Sequence, residues 1–585
     1  MSALRLLIFG FVAALSFSAL RDVWSLDPDA AAYLSLGRSL AAGDGYLLFG
    51  EPHAKYPPGL PALFGLLSWL STPESYALFH AALVLAVLAA AWVAERLALR
   101  LGLSPLGALV VAAGTAFSVT FFELSVRYLR TEALFAALSL GSLLACLRAL
   151  SSRGRWGDAL LAALLTIAAL STRLAGVGLL VVPAFALLRA PAPGARPRAL
   201  LILALSAAGL AAWMTHGASV RAEVSDAPDY RDEFFVAEPR DLTKVVRVDN
   251  PPLDAGSLVT RVARNTTVFA RATAVLLSNT DKAGQQLPVG AATLALVLLG
   301  LGGLWVGGKA ETLWARRASV LYVAASVGLL LAWPFDQAER FYAPLLPLLL
   351  VAAAEGLRRG SALLGWASRS ALGRNLVFAA GLALLGLLAL QRSNDPRLFE
   401  RWSYAYAALL LMATLGVTAA VIGLRRPRQV QLPRWAPWAA LALFALPFAH
   451  QRLVLWPRVV DDFEARRAEL PEGDAFARID VHPVLETVAR RLAAETTPDT
   501  VVMTDVPKML ALLSGRRCVP MRYRVDPPGL EAGEASVLFC TGSDPPEAGQ
   551  VVDALSASWE AFIQLEPIRA EGIELRPTVW RLPPR

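Results

Sequence analysis

"LDPDAAAYLSLGRSLAAGDGYLLFGEPHAKYPPGLP", residues 26–61, follows the first apolar run of a 585-residue chain and decides how the rest is read. Two aspartates flank a proline, Tyr33 stands four residues after Asp29, "GDGY" interrupts the pattern, and Lys55 precedes Tyr56 and a Pro-Pro pair. Residues four apart share one face of a helix, so Asp29 and Tyr33 lie together if the segment is helical. The prolines fix an extended approach to the hydrophobic stretch that follows. A carboxylate at one end of a loop and an ammonium at the other suit an acceptor hydroxyl and a phosphate held side by side. A solvated polar loop is the plain alternative.

The surroundings of this loop are apolar. The chain is 56% hydrophobic and only 17% charged, against about 25% charged in soluble domains. Apolar runs fall at about 6–20, 76–94, 105–122, 133–148, 159–172, 174–188, 199–215, 287–306, 318–334, 341–357, 375–390, 403–424 and 436–450. Most approach the length a helix needs to cross a bilayer. The expected fold is a polytopic α-helical membrane protein of about 13 crossings. The net charge of +8 then argues for basic cytoplasmic loops rather than a nucleic-acid partner.

Alternate loops differ in charge. One set, starting with Arg5, Arg96 and Arg100 and ending with Arg425, Arg426, Arg428 and Arg434, holds twenty basic residues against four acids. The positive-inside rule puts that set in the cytoplasm, with the N-terminus inside and the C-terminal tail outside. Both flanks of residues 159–188 are basic, so this stretch reads as two short spans turning at "STRLAG", which places Arg173 near the outer face. "GLPALFGLLSWL", residues 59–70, is too short to span and reads as an interfacial or re-entrant helix. A cleaved signal peptide remains an alternative for the first run.

The outer segments are the loops 21–75 and 216–286 of a membrane region ending near 456, and a soluble tail, 457–585. In the tail, "TVVMTDVPKMLALLSGRRCVP" reads as strand, turn, helix and strand, and "ASVLFCTG" as a further strand, which suggests a small extracytoplasmic α/β domain. Cys146 lies in an apolar run; Cys518 and Cys540 both fall in the tail, where a disulfide between them is left open.

The stretch "DPDAAAYLSLGRSLAAGDGYLLFGEPHAKYPPGLPALFGLL" resembles the first periplasmic loop of bacterial GT-C glycosyltransferases. That group includes the family 39-like enzymes, protein O-mannosyltransferases and lipid A aminoarabinose transferases. The shared features are an acid at the exit of the first span, a Tyr four residues on, a Gly-Tyr, and a Pro-Pro before the next hydrophobic stretch. The resemblance implies that Asp29 is the catalytic base and that a second acid, Glu132 in "RYLRTEALFAAL", follows at a later outer helix end. It also implies a basic-aromatic patch, matched by Arg340 and Tyr342 in "FDQAERFYAPLLPLLL". Two departures stand out: Ala30 follows Asp29 where some relatives carry Asp-Glu, and Tyr56 separates Lys55 from the prolines. Those departures bear on the acceptor more than on the reaction.

The reaction implied is inverting sugar transfer from a polyprenyl-phosphate donor to lipid A, a surface glycan or a protein, at the outer face of a bacterial inner membrane. An acceptor hydroxyl needs a base in reach, which Asp29 supplies. The leaving phosphate needs positive charge, for which Lys55, Arg130 and Arg340 are candidates, with Asp27, Tyr33, Tyr56 and Tyr342 completing the substrate site. No cofactor is required by this scheme, and a divalent metal is left open. The rival classes are a secondary transporter or lipid flippase, and a non-catalytic scaffold. Transporters place ionisable groups at mid-membrane, whereas the acids here gather in outer loops.

Overall fold

Helices built from the apolar runs dominate the computed structural model of the chain. The described residues are 2–22, 24–25, 27–70, 76–223, 234–235, 245–247, 252–278, 287–334, 338–367, 448–449, 452–453, 456–457, 460–461, 479–480, 483–504, 507–525, 528–531, 537–540, 560–564, 568–570, 573–575 and 578–581. After α1 (Ser2–Ser18) come the first-loop helices α2 (Pro28–Ala42) and α3 (Gly59–Leu70). Then follow α4 (Tyr76–Arg100), α5 (Pro105–Ala116), α6 (Val119–Phe122) with a π-helical turn at Glu123–Arg127, α7 (Glu132–Ala149) and α8 (Trp156–Thr172). A 3₁₀ segment, Leu174–Leu180, leads into α9 (Val181–Leu188) and α10 (Ala195–Glu223). The bundle continues with α11 (Ala255–Ser278), α12 (Leu287–Val306), α13 (Ala310–Leu331), α14 (Ala338–Tyr342) and α15 (Leu346–Ala367).

Among the described residues five helices are long and apolar enough to cross a membrane, or six if α5 and the bent segment Val119–Arg127 form one broken span. This is fewer than the thirteen runs counted from composition. Several runs, such as Trp156–Thr172 and Leu174–Leu188, are shorter apolar helices, below the ~20 residues a straight crossing needs. The runs 375–390 and 403–424, and most of 436–450, lie outside the described residues. Between α8 and the 3₁₀ segment the helix breaks at Arg173, whose backbone is extended.

Close helix contacts are made by glycine, as expected where lipid offers no hydrophobic drive for helix association. A Cβ on Gly300 of α12 would run into the Ala352 carbonyl of α15, and one on Gly356 of α15 into the Leu296 carbonyl of α12. In the first loop, a Cβ on Gly37 would meet Phe64 Cβ and Pro61 O at 3.0 Å, so α2 and α3 cross backbone to backbone.

The two ends of the bundle differ in charge. At one end Arg5 pairs with Glu95 at 2.5 Å, and Arg316 donates to the Leu101 carbonyl at 2.7 Å. There too Arg100 donates to Leu147 O, and Arg358 and Arg359 hold Glu355. These are the basic loops of the sequence. At the other end lie the first loop and the starts of α7 and α15.

The C-terminal part carries helices α16 (Pro483–Glu495) and α17 (Pro507–Ser514) and a mixed sheet. Its strands are β6 (Val501–Thr504), β7 (Arg517–Val525), β8 (Pro528–Glu531), β9 (Val537–Cys540), β10 (Glu560–Gln564) and β13 (Thr578–Arg581), with a β11–β12 hairpin (Ile568–Ala570, Ile573–Leu575) alongside. The order is β10-β13-β9-β6-β7-β4, where β4 (Val245–Arg247) comes from the 216–286 loop, and β8 pairs with β7. The strand-helix-strand unit β6-α17-β7 is parallel, and β6 also pairs in parallel with β9. Cys518 is a free thiol on β7, and β6 separates it from the strand of Cys540. Two strand spacings, ~9.6 Å, exceed the reach of a disulfide, so the bridge left open by the sequence does not form.

Gly300→Val should splay α12 from α15, because the blocking atom is backbone and cannot yield. Overpacking of this kind costs about 1–3 kcal/mol or more. The melting temperature of the detergent-purified protein should fall for Gly300→Val, while Gly302→Ala, whose Cβ meets nothing within 4 Å, should melt like wild type.

Candidate active site

The first loop folds around α2, and local chemistry explains its start. Asp27 is the N-cap, its carboxylate accepting the Ala30 N–H at 3.1 Å, and Pro28 opens the helix with its φ already suitable. Asp29 sits in the first turn, where the positive helix end favours an acid. Gly43 closes the helix at φ 83°, a left-handed cap that glycine takes at no steric cost. One turn after Asp29, buried Tyr33 meets the Tyr56 ring edge-on at a centroid distance of 5.3 Å.

Three side chains from separate elements meet Asp29, and a buried acid and arginine extend the network. The Tyr56 hydroxyl donates to its Oδ1 at 3.0 Å. Arg340, from α14, pairs with Oδ2. Lys508, from α17 of the C-terminal part, lies 3.7 Å from Oδ1 and also donates to the Tyr56 hydroxyl. Glu132, at the start of α7, is almost fully buried and accepts from Arg173 at 2.6 Å, while Arg340 Nε lies 3.4 Å from the same oxygen. Arg173 and Arg340 both stack on Phe341, at 4.6 and 5.2 Å from its ring centre. The result is a chain of alternating charge, Arg173, Glu132, Arg340, Asp29, Lys508.

Burial by itself would raise the Asp29 carboxyl; the Arg340, Lys508 and Arg130 charges outweigh it and hold the group well below the usual carboxylate range. Asp29 is therefore ionised at neutral pH. Burial, then the Asp29 charge, pushes the Tyr33 phenol up, so it stays protonated. His53 stacks on Tyr56 and accepts the Tyr56 backbone N–H on Nε2 at 2.9 Å. Burial, followed by Lys508, Lys55 and His216, keeps it well below the ordinary histidine value and hence neutral.

The structure gathers most of the residues picked out from the sequence: Asp27, Asp29, Tyr33, Tyr56, Arg130, Glu132 and Arg340. Asp27, however, is engaged by the helix cap and by Arg130, whose Nε donates to Oδ2 at 3.0 Å. Both of its carboxylate oxygens are thus engaged within the protein, and Asp27 fixes the position of Arg130. Arg130 is presented just after the π-helical turn, where His80 Nδ1 donates to the Ser125 carbonyl at 2.6 Å. Lys55 is buried beside His53, 5.7 Å from the Tyr56 ring centre. Tyr342, two residues after Arg340 and so on a different side of α14, packs on Phe269 at 4.9 Å.

Sequence reasoning missed Arg173 as a site residue and did not single out Lys508. The signal for Arg173 was a lone cation between two apolar runs. That for Lys508 was a lysine in the first turn of an apolar helix, a place that favours acids. Among the described residues no three His, Cys, Asp or Glu side chains are grouped to hold a metal. Each site carboxylate faces a guanidinium instead, so these residues form no metal-ligand set.

Glu132→Ala should leave Arg173 and Arg340 buried without their shared carboxylate, a loss of about 3–5 kcal/mol for a broken buried pair. Thermal melts should show that the Glu132→Ala, Arg173→Met double variant loses less stability than the two single losses added.

No family model and no curated protein matches this sequence. Solved structures do. ArnT from Cupriavidus metallidurans in the apo state is similar with a TM-score of 0.52 at 14% identity, over 100% of this chain and 99% of that one. The same protein bound to undecaprenyl phosphate gives 0.51 at 14% identity, over 100% of both chains. An Archaeoglobus fulgidus oligosaccharyltransferase in complex with zinc and sulfate is a looser likeness, with a TM-score of 0.44 at 10% identity over 91% of this chain and 68% of that one. ArnT is a GT-C fold glycosyltransferase, and this chain has the GT-C fold.

Proposed function

We propose that the chain is an integral membrane glycosyltransferase. It moves a sugar, with inversion, from a polyprenyl-phosphate donor to a hydroxyl of lipid A, a surface glycan or a protein. The observation that carries this reading is the Asp29 carboxylate held between Arg340 and Lys508 at one end of the bundle. An acid and phosphate-binding cations side by side are what the transfer requires. The GT-C fold and a similar structure with undecaprenyl phosphate bound support a lipid-linked donor.

The chemistry follows from the charges. The acceptor hydroxyl gives its proton to Asp29 as its oxygen bonds to the anomeric carbon. The bond from that carbon to the phosphate oxygen breaks, and the electron pair leaves with the polyprenyl phosphate. Arg340, Arg130 and Lys55 are the cations available to that phosphate. A carboxylate clamped by two cations is a weak base. A donor phosphate that draws Arg340 toward itself loosens the clamp and raises the basicity of Asp29 when the acceptor needs it.

The active end lies opposite the basic loops, so the positive-inside rule puts it and the 457–585 domain outside the cytoplasm of a bacterial inner membrane, with the N-terminus inside. The transporter alternative loses ground because the described ion pairs gather at helix ends rather than at mid-bundle.

Asp29→Asn keeps the shape but cannot accept a proton, so transfer from a polyprenyl-phosphate sugar should fall by about 10²–10⁴-fold. Asp27→Asn, which retains the cap, should stay within about tenfold of wild type. Wild-type turnover by Asp29→Asn at matched expression would sink the assignment. A pH profile gives an independent check. Removing Arg340, the largest lowering charge, raises the Asp29 value, so the acid limb of kcat/KM for Arg340→Met should lie at higher pH than in wild type.

A further inference from the structure

The C-terminal domain is joined to both outer loops. Trp24–Ser25 (β1) pairs in parallel with Ile479–Asp480 (β5), Arg517 pairs with Glu51 at 2.5 Å, and β4 of the 216–286 loop extends the sheet beside β7. These contacts bring α17 against α2, and Leu512 of α17 packs on the core of the first loop. They also seat one polar side chain: Lys508, 5% exposed.

Lys508 is costly for the fold alone. A buried ammonium loses its hydration, and the first turn of a helix, which carries the positive dipole end, disfavours a cation. The buried neighbours of Lys508 along α17, Leu510 and Ala511, are apolar. The ammonium instead reaches the Tyr56 hydroxyl, 4.6 Å over that ring, and Asp29 at 3.7 Å. Its three donors on a rotatable stem allow it to exchange a phenol for a phosphate oxygen by a small swing.

We propose that Lys508 is a donor-phosphate ligand supplied by the C-terminal domain, so that this domain is part of the active site and not an appendage to it. The inference rests on the lipid-phosphate reading above and deepens it. Donor arrival moves Lys508 from Tyr56 and Asp29 to the phosphate, on the opposite side of the carboxylate from Arg340, and the two cations release Asp29 together.

The test is binding, with no turnover needed. Full-length protein in nanodiscs is titrated with undecaprenyl phosphate, with undecaprenol, and with excess phosphatidylglycerol as competitor. Wild type should bind the phosphate form, bind undecaprenol weakly, and lose little to phosphatidylglycerol. Lys508→Met should weaken undecaprenyl-phosphate binding by about 10- to 100-fold, the worth of a hydrogen bond to a charged group. Lys508→Arg should restore most of it, and undecaprenol binding should be unchanged. Lys508→Gln, which can still donate to Tyr56, replaces Lys508→Met if that variant does not fold. Wild-type-like affinity in the neutral variants would overturn the role of Lys508 while leaving the donor reading intact. Absence of undecaprenyl-phosphate binding by wild type would overturn the donor reading itself, and displacement by phosphatidylglycerol would reduce the site to a general lipid-phosphate contact.

Discussion

The ion pair between Asp29 and Arg340 ties together positions 311 residues apart, and most of the site hangs from it. Arg340 also reaches Glu132, which holds Arg173, so one guanidinium sets the geometry of α2, α7 and the end of α8. Each of these charges is costly to bury alone, and each is tolerable only because its neighbour is in place. The arrangement is therefore cooperative. Losing one member exposes the others to the desolvation cost that the chain of alternating charges avoids.

Helix packing brings those charges to one end. Gly37 lets α2 cross α3 closely, and Gly300 and Gly356 do the same for α12 and α15. A break at Arg173 ends α8 at the level of Glu132. At the far end, arginines such as Arg100 and Arg316 donate to carbonyls at helix termini, where a cation meets the negative end of the dipole. Arginine thus serves at the basic end both as a helix cap and as a partner for Glu95 and Glu355, and at the opposite end as a partner for Asp27, Asp29 and Glu132.

The electrostatics set a tension between stability and reactivity. The cations that make Asp29 stable in a buried position also make it reluctant to take a proton. Tyr33 stays protonated beside Asp29, and His53, stacked on Tyr56, stays neutral, so neither adds charge to the site.

Much was legible in the sequence. The apolar runs, the alternation of basic loops, the Asp-Pro-Asp helix start, the break at Arg173 and the strand-helix-strand unit of the tail all follow from local composition and periodicity. Asp29, Tyr33, Tyr56, Glu132 and Arg340 stand out from their local sequence alone. What only the tertiary structure decided is who pairs with whom. It assigned Asp27 to Arg130, turned Tyr342 toward Phe269, set β6 between the strands of Cys518 and Cys540, and brought Lys508 from the tail to Asp29. The physical reason is that helix starts, spans and strands are encoded over a few neighbouring residues. An ion pair between residues hundreds of positions apart is encoded only in the packing that brings them together.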